Sequence, residues 1–261
     1  MSENEVHSLF AKTLDGEYDD DEPWDAIHAL RKLGTDEVFV LAAAWCKSKD
    51  ELRRSRGVDI LAQLGSGSDA DTMRSIGKKA VPVILKLLQT EKAGRPKASA
   101  IYALGHIGLR DAIPAIVRLT HHFDPDVRHA VAFSLGSFAD EEICIDALLE
   151  LMGDKDNSVR DWATFSLGSL GDADSPRIRR ALAEALNDAD DDVRFEAAIG
   201  LGKRRDRRSA AALEGILVDD PDNIHAIQAT NLLLGFDEDR AIETVNLIAS
   251  LRRLRRWGKQ D

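Results

Sequence analysis

His121, His122, Asp124, Asp126 and His129 fall within nine residues, and imidazoles and carboxylates at that density are the raw material of a metal site. Their spacing matches no zinc or iron pattern, and the aspartates have another role, developed below, so neither a metal nor a cofactor is expected. A second cluster, Arg160-Asp161-Trp162-Ala163-Thr164-Phe165, sets a carboxylate beside two aromatic rings, the ingredients of a base pocket in a nucleic-acid enzyme. No glycine-rich phosphate loop or nucleophile elbow accompanies either cluster. No pair of carboxylates stands apart as an acid–base couple. These residues point away from catalysis and toward recognition.

The elements that must position them repeat along the chain. VRHAVAFSLG (residues 127–136), VRDWATFSLG (159–168) and VRFEAAIGLG (193–202) align without gaps, and PKASAIYALG (96–105) fits with Lys97 in place of arginine. Weaker copies close at Gly34, Gly65 and Gly235. The closing glycines are spaced by 31, 40, 31, 32, 34 and 33 residues, with one insertion at Ser66 to Asp71. A second apolar segment with three- and four-residue spacing precedes each block, as in Ile143–Met152 and Ile178–Leu186, so each period reads helix, turn, helix. Ser175-Pro176 and Asp140-Glu141-Glu142 carry helix-start chemistry. Gly108 and Gly171 stand where left-handed C-caps are expected. Nothing has a strand pattern.

Composition agrees. The apolar fraction is 44% with only 5% aromatic, and there are 7 prolines, which suits aliphatic helices packed closely on helices. Cys46 and Cys144 lack metal-ligand spacing and read as small core residues. The net charge of −11 opposes general affinity for nucleic acid or anionic membrane. The first twenty residues hold no basic start followed by an apolar stretch, and the longest apolar run, Val38 to Cys46, is nine residues, too short to span a bilayer. A soluble, cytoplasmic chain is expected, with residues 1–261 as a single repeat domain.

The motif D-x-x-V-R-x-x-A-x-x-x-L-G, carried by Asp124 to Arg128, Asp156 to Arg160 and Asp190 to Arg194, resembles the HEAT family in its short bacterial form, related to the repeats of phycobilin lyases. The resemblance covers residues from about 22 to 235. It implies an all-α, right-handed HEAT/armadillo-like solenoid of about seven helix pairs with a C-terminal capping helix. With no catalytic constellation, and with the aromatic face described next, a non-catalytic, monomeric scaffold that binds another protein is expected. Some such proteins lie beside toxin genes and are proposed immunity proteins, so a narrower form is neutralisation of a basic, nuclease-type toxin. A HEAT-like DNA glycosylase and a bilin lyase are the enzymatic alternatives.

Number each block from 0 (Val127) to 9 (Gly136). At 100° per residue, positions 0, 4, 7 and 8 centre the buried stripe, positions 1 and 3 flank it, and positions 2 and 6 point opposite. Position 1 carries Lys97, Arg128, Arg160 and Arg194, expected to form a structural ladder with the turn aspartates Asp124, Asp126, Asp156 and Asp190. Position 6 reads Arg31, Ala62, Tyr102, Phe133, Phe165, Ile199 and Leu232; position 2 reads Ile27, Val58, Ala98, His129, Asp161, Phe195 and Gln228. With one arginine and no lysine, this face does not suit DNA. A partner-binding groove is therefore expected at Tyr102, His129, Phe133, Asp161, Trp162, Phe165, Phe195 and Ile199; the other reading packs these rings between repeats. Asp15 to Glu22, with six acids in eight residues, reads as a solvated loop, and the basic stretch Ser250 to Lys259 as an end helix with exposed arginines.

Overall fold

Residues 3–257, the part of the chain that the computed structural model describes, fold as fifteen α-helices, and among these residues there is no strand. They form two compact units, residues 1–137 and 138–261. In the first, α1 (Glu3–Lys12) pairs with α2 (Asp21–Leu33), α3 (Asp36–Trp45) with α4 (Glu51–Ala62), α5 (Ala70–Thr90) with α6 (Gly94–Ile107), and α7 (Ile113–Val117) with α8 (Pro125–Gly136). In the second, α9 (Glu142–Leu151) pairs with α10 (Asn157–Phe165), α11 (Pro176–Ala185) with α12 (Asp191–Lys203), and α13 (Ala210–Asp219) with α14 (Ile224–Leu233), while α15 (Thr244–Trp257) covers α13 and α14.

Within each unit the second helix of a pair also packs on the second helix of the next: α2 on α4, α4 on α6 and α6 on α8, then α10 on α12 and α12 on α14. This layering is that of an α-solenoid, seven pairs with a terminal helix, as the period implied. Leu247 and Leu251 of α15 are buried with Leu213 and Leu217 of α13. Two arginines of α15, Arg252 and Arg255, bond Glu214; Gly258 and Lys259 lie outside the described residues.

The helix starts are chemically marked. Asp124, Asp156 and Asp190 each accept hydrogen bonds from backbone N–H groups of the first turn that follows, and Ser175 accepts from Ile178 ahead of Pro176; each cap contributes about 1 kcal/mol. In the clear copies, positions 0, 4, 7 and 8 are buried, as in Val127, Val131, Ser134 and Leu135. The seams between second helices are close. A Cβ on Gly200 would stand 2.6 Å from the Gly168 Cα, so only glycine fits there.

The first two copies sit in a different register from the one expected. Gly34 and Gly65 adopt left-handed φ of 61° and 88° and are caps beyond their helices, whereas Gly105 and Gly202 lie within helices. Aligning all of them as one closing position displaced the early blocks. Ile27, Arg31, Val58 and Ala62, expected on the open face, are all buried. The true start of the second copy is the N-cap Asp50, which puts Arg54 at position 1 and Asp59 at position 6.

Gly108 ends α6 with φ of 69° as expected, but Gly171 is extended, with φ of −84°. The reason is a single π turn over Ser166–Leu170, closed by the Gly171 N–H donating to the Ser166 carbonyl at 2.9 Å. Such a turn holds one residue more than an α-turn. Buried Arg204 stabilises it, donating to the carbonyls of Leu167 (2.6 Å), Gly168 (2.9 Å) and Gly171 (3.1 Å).

The acidic loop departs from expectation too. Asp15, Glu17, Asp19 and Asp20 are exposed, but Tyr18 turns inward to Asp59 and Ser99.

Candidate functional site

Positions 2 and 6 of successive second helices build the candidate face in each unit. In the second unit they line a cavity of about 290 Å³. Phe165 ends α10, Phe195 and Ile199 stand one turn apart on α12, and Gln228 and Leu232 one turn apart on α14. Ile199 is only 5% exposed, so it forms the floor. The π turn brings Ser169 and Leu170 to the rim. Trp162 meets Phe165 edge to face at 5.4 Å, a favourable arrangement of ring quadrupoles.

Carboxylates border this apolar floor. Ser169 Oγ donates to Glu196 at 3.1 Å, and Lys203 donates to the Ser169 carbonyl at 2.6 Å. Burial pushes the Glu196 carboxyl up to about 7, reinforced by the Asp161 and Asp192 charges and opposed by Ser169 and Lys203. Burial likewise raises Asp161 to about 6, with Asp192 and Asp190 acting in the same direction. The cavity thus favours neutral carboxyls or a visiting cation that would relieve their repulsion.

In the first unit the same positions are occupied by rings that satisfy one another. The Tyr102 hydroxyl is hydrogen-bonded to His129 Nδ1. Phe133 meets Tyr102 at 5.2 Å and His106 at 5.4 Å, both edge to face. Tyr102 is pushed up to about 12 by burial and the Asp126 charge; burial and Arg31 lower His106. The structure therefore brings Tyr102, His129 and Phe133 together in one unit, and Phe165, Phe195 and Ile199 together in the other, with Asp161 and Trp162 on the same helix as Phe165.

Arg160, and Arg54 in the corrected register, lock neighbouring pairs through acids other than those expected. Asp124, Asp156 and Asp190 serve as caps, and Asp126 is exposed. The locking group lies five residues before each block. Arg160 forms a bidentate pair with Asp188 at 2.7 and 2.8 Å, and Arg54 one with Glu91 at 2.5 and 3.0 Å. His122 takes that place opposite Lys97, at 3.2 Å. Each arginine also donates to the carbonyl six residues before it: Arg54 to Ser48, Arg128 to His122, Arg160 to Asp154 and Arg194 to Asp188. Arg194 pairs with Asp191 of its own turn. His122 Nδ1 accepts from the Asp124 N–H, so His122 and His129 have separate structural partners. Among the described residues no three His, Cys, Asp or Glu side chains converge as a metal site requires, and no helix is long and apolar enough to cross a membrane.

Sequence reasoning missed Glu196 because position 3 was read as a flank, and Ser169 and Lys203 because they follow the closing glycines Gly168 and Gly202 and lie outside the numbered block. An aspartate four residues before each position-1 arginine (Asp50 and Arg54, Asp124 and Arg128, Asp156 and Arg160, Asp190 and Arg194) was the signal that would have placed the early copy.

The HEAT-repeat family profile matches residues 81–168 and 145–233. The chain belongs to the HEAT-repeat family. Protein YibA of Escherichia coli (strain K12) is 30% identical to this HEAT-repeat chain over 194 residues, 70% of this chain and 65% of that protein. The match thus spans less than two thirds of YibA. The X-ray structure of Escherichia coli YibA has a TM-score of 0.70 at 23% identity, covering 97% of this chain and 93% of that one. An archaeal HEAT-like repeats protein from Thermococcus onnurineus NA1 has a TM-score of 0.54 at 16% identity, covering 96% and 98%. Kap95p, in its complex with RanGDP, has a TM-score of 0.55 at 16% identity, covering 94% of this HEAT-repeat chain and 37% of its own. The structural likenesses establish fold.

Proposed function

We propose that this chain is a non-catalytic, monomeric, cytoplasmic scaffold, acting as one repeat domain, whose docking surface is the outward row of positions 2 and 6. The observation that carries this reading is the cavity of the second unit, apolar at Phe165, Phe195, Ile199 and Leu232 and bordered by Glu196 and Glu238. An apolar anchor buried there, followed by a lysine or arginine, suits both surfaces. Kap95p, which shares the fold, is bound to RanGDP in its structure, in keeping with a protein partner here. The net charge of −11 favours a basic partner by steering its approach, and neutralisation of a basic toxin is the narrow form of this reading. A nucleic-acid enzyme needs cations along its face; here the cavity's lysine, Lys203, is already engaged by the Ser169 carbonyl.

The test is a peptide display selection on the immobilised chain, counter-screened on Phe165→Asp and Phe195→Asp. Enriched sequences pairing an apolar anchor with a lysine or arginine, lost on both variants while their melting is unchanged, are the expected result. Selection of sequences that bind both variants as well as the parent would reject this cavity as the docking site.

A further inference from the structure

The inward turn of Tyr18 belongs to a second polar site, confined to the first unit. Tyr18 donates its hydroxyl hydrogen to Asp59 Oδ2 at 2.8 Å and lies 3.0 Å from Ser99 Oγ. The Arg56 and Arg95 guanidinium groups stand 4.2 and 4.8 Å from its ring centroid, within cation–π range. The Trp24 ring meets it edge to face at 6.1 Å. The partners are 41 and 81 residues away in sequence, so tertiary contact is what turns Tyr18 inward.

The way the loop is held is that of a bound peptide. Arg56, only 1% exposed, donates through Nε to the Thr13 carbonyl at 2.9 Å and through Nη2 to the Tyr18 carbonyl at 2.8 Å. It therefore grips main chain on either side of a sharp bend at Gly16, whose φ is 70°. One side chain enters, while Asp15, Glu17, Asp19 and Asp20 stay in water. Arg56 Nη1 is buried without a hydrogen-bond partner, 3.8 Å from Asp59 Oδ2. That is a donor which a fully evolved core contact would satisfy. Without the loop, Arg31 and Arg56 would stand beside Asp59 and Arg95 over the space left by the Tyr18 ring, a cationic pocket in a chain of net charge −11.

We propose that this pocket is a recognition site for an acidic, tyrosine-bearing segment of a partner protein, and that the Tyr18 loop is the chain's own occupant of it. The loop is the imprint of the ligand: a tyrosine for Asp59 and Ser99, a kinked main chain for Arg56, and a flanking exposed carboxylate, Asp19, within electrostatic reach of Arg56. Because the loop is tethered, its effective concentration is on the order of millimolar, and it competes with any segment arriving from outside.

The test uses a fluorescein-labelled peptide of residues 13–22 (TLDGEYDDDE) as probe, followed by anisotropy against the full chain. Tyr18→Ala vacates the place of the ring between Asp59 and Ser99 and leaves the loop held by main-chain bonds alone, and it is expected to bind the probe roughly tenfold or more tighter than the parent. Adding Arg95→Glu, at an exposed position, should abolish that gain, as should replacing the probe's tyrosine by alanine. A folded Tyr18→Ala chain with no gain overturns the proposal. A Tyr18→Ala chain that loses its cooperative melt does so too, since a displaceable occupant cannot be what holds the fold. Amide exchange of the unaltered chain gives an independent reading. Residues 14–20 should exchange far faster than α4, and equal protection of the two segments counts against a displaceable loop. Concentration-dependent dimerisation that the probe reverses would assign the pocket to a second copy instead of a distinct partner.

Discussion

The two units use the same repeat and the same outward positions to opposite ends. In the first, Tyr102, His129 and Phe133 close on one another, with His106 added to the cluster, and the neighbouring Asp59 is met by Tyr18. In the second, Phe165, Phe195 and Leu232 leave a cavity, and Asp161 and Glu196 are raised by burial and by neighbouring carboxylates. A position in a repeat thus fixes where a side chain points, and the partner on the next pair decides whether it is structure or surface. Aromatic content alone does not separate the cases; hydrogen-bonded, ring-on-ring contact does.

The largest effect should come from Arg204→Ala. Several buried carbonyls of the π turn lose their donor together, and an unsatisfied buried group costs about 1–3 kcal/mol, so a loss of at least ~3 kcal/mol is expected in urea unfolding. Amide exchange should locate the damage in residues 165–175. If stability holds, the π turn is not what shapes the open cavity.

Next in size, Phe133→Asp and Phe195→Asp should part company. Phe133 sits within a ring cluster, and placing a carboxylate there should cost roughly 2–4 kcal/mol. Phe195 borders open space, and its replacement should cost about 1 kcal/mol or less. Equal losses for the two, measured by thermal or urea unfolding, would erase the contrast between the units.

The smallest effect is in pH dependence. The Glu196 carboxyl titrates at about 7 when folded against an ordinary 4.5, so the native state holds a proton that the unfolded chain has released across that window. Its contribution to stability is present at the acid end and declines as pH rises through 7. Asp161, at about 6, acts in the same direction. Glu196→Gln should therefore match the parent near pH 4.5 and melt higher than it at pH 8. Parallel melting curves across that range would show that Glu196 is well solvated.

Much of this was legible in the chain itself. The V-R and L-G blocks, with their preceding acids, place five of the seven pairs because each residue there answers to a local cause: a cap, a stripe or a seam. The first two pairs were misread because glycine has two uses, the left-handed cap at Gly34 and Gly65 and the close seam at Gly105 and Gly168, and a letter does not distinguish them. Tyr18, Asp59 and Arg204 were invisible for another reason. Tyr18 meets Asp59 and Ser99 at 41 and 81 residues, and Arg204 bonds carbonyls about one repeat before it from beyond the end of its block, so the block pattern does not single them out.

The run of cation-to-acid locks also has a last member. Five residues before the α14 block, where Asp188 and Glu91 serve earlier pairs, stands Pro221, and Arg194 folds back on Asp191 of its own turn. A stack of identical joints can lengthen without limit, as filaments do when a head-to-tail contact fails to close. Here the last internal joint, between α12 and α14, forms without that lock, and α15 lies across α13 and α14. The lock that joins Arg160 to Asp188 is thus replaced, at the pair that α15 covers, by the burial of Leu247 and Leu251 against Leu213 and Leu217.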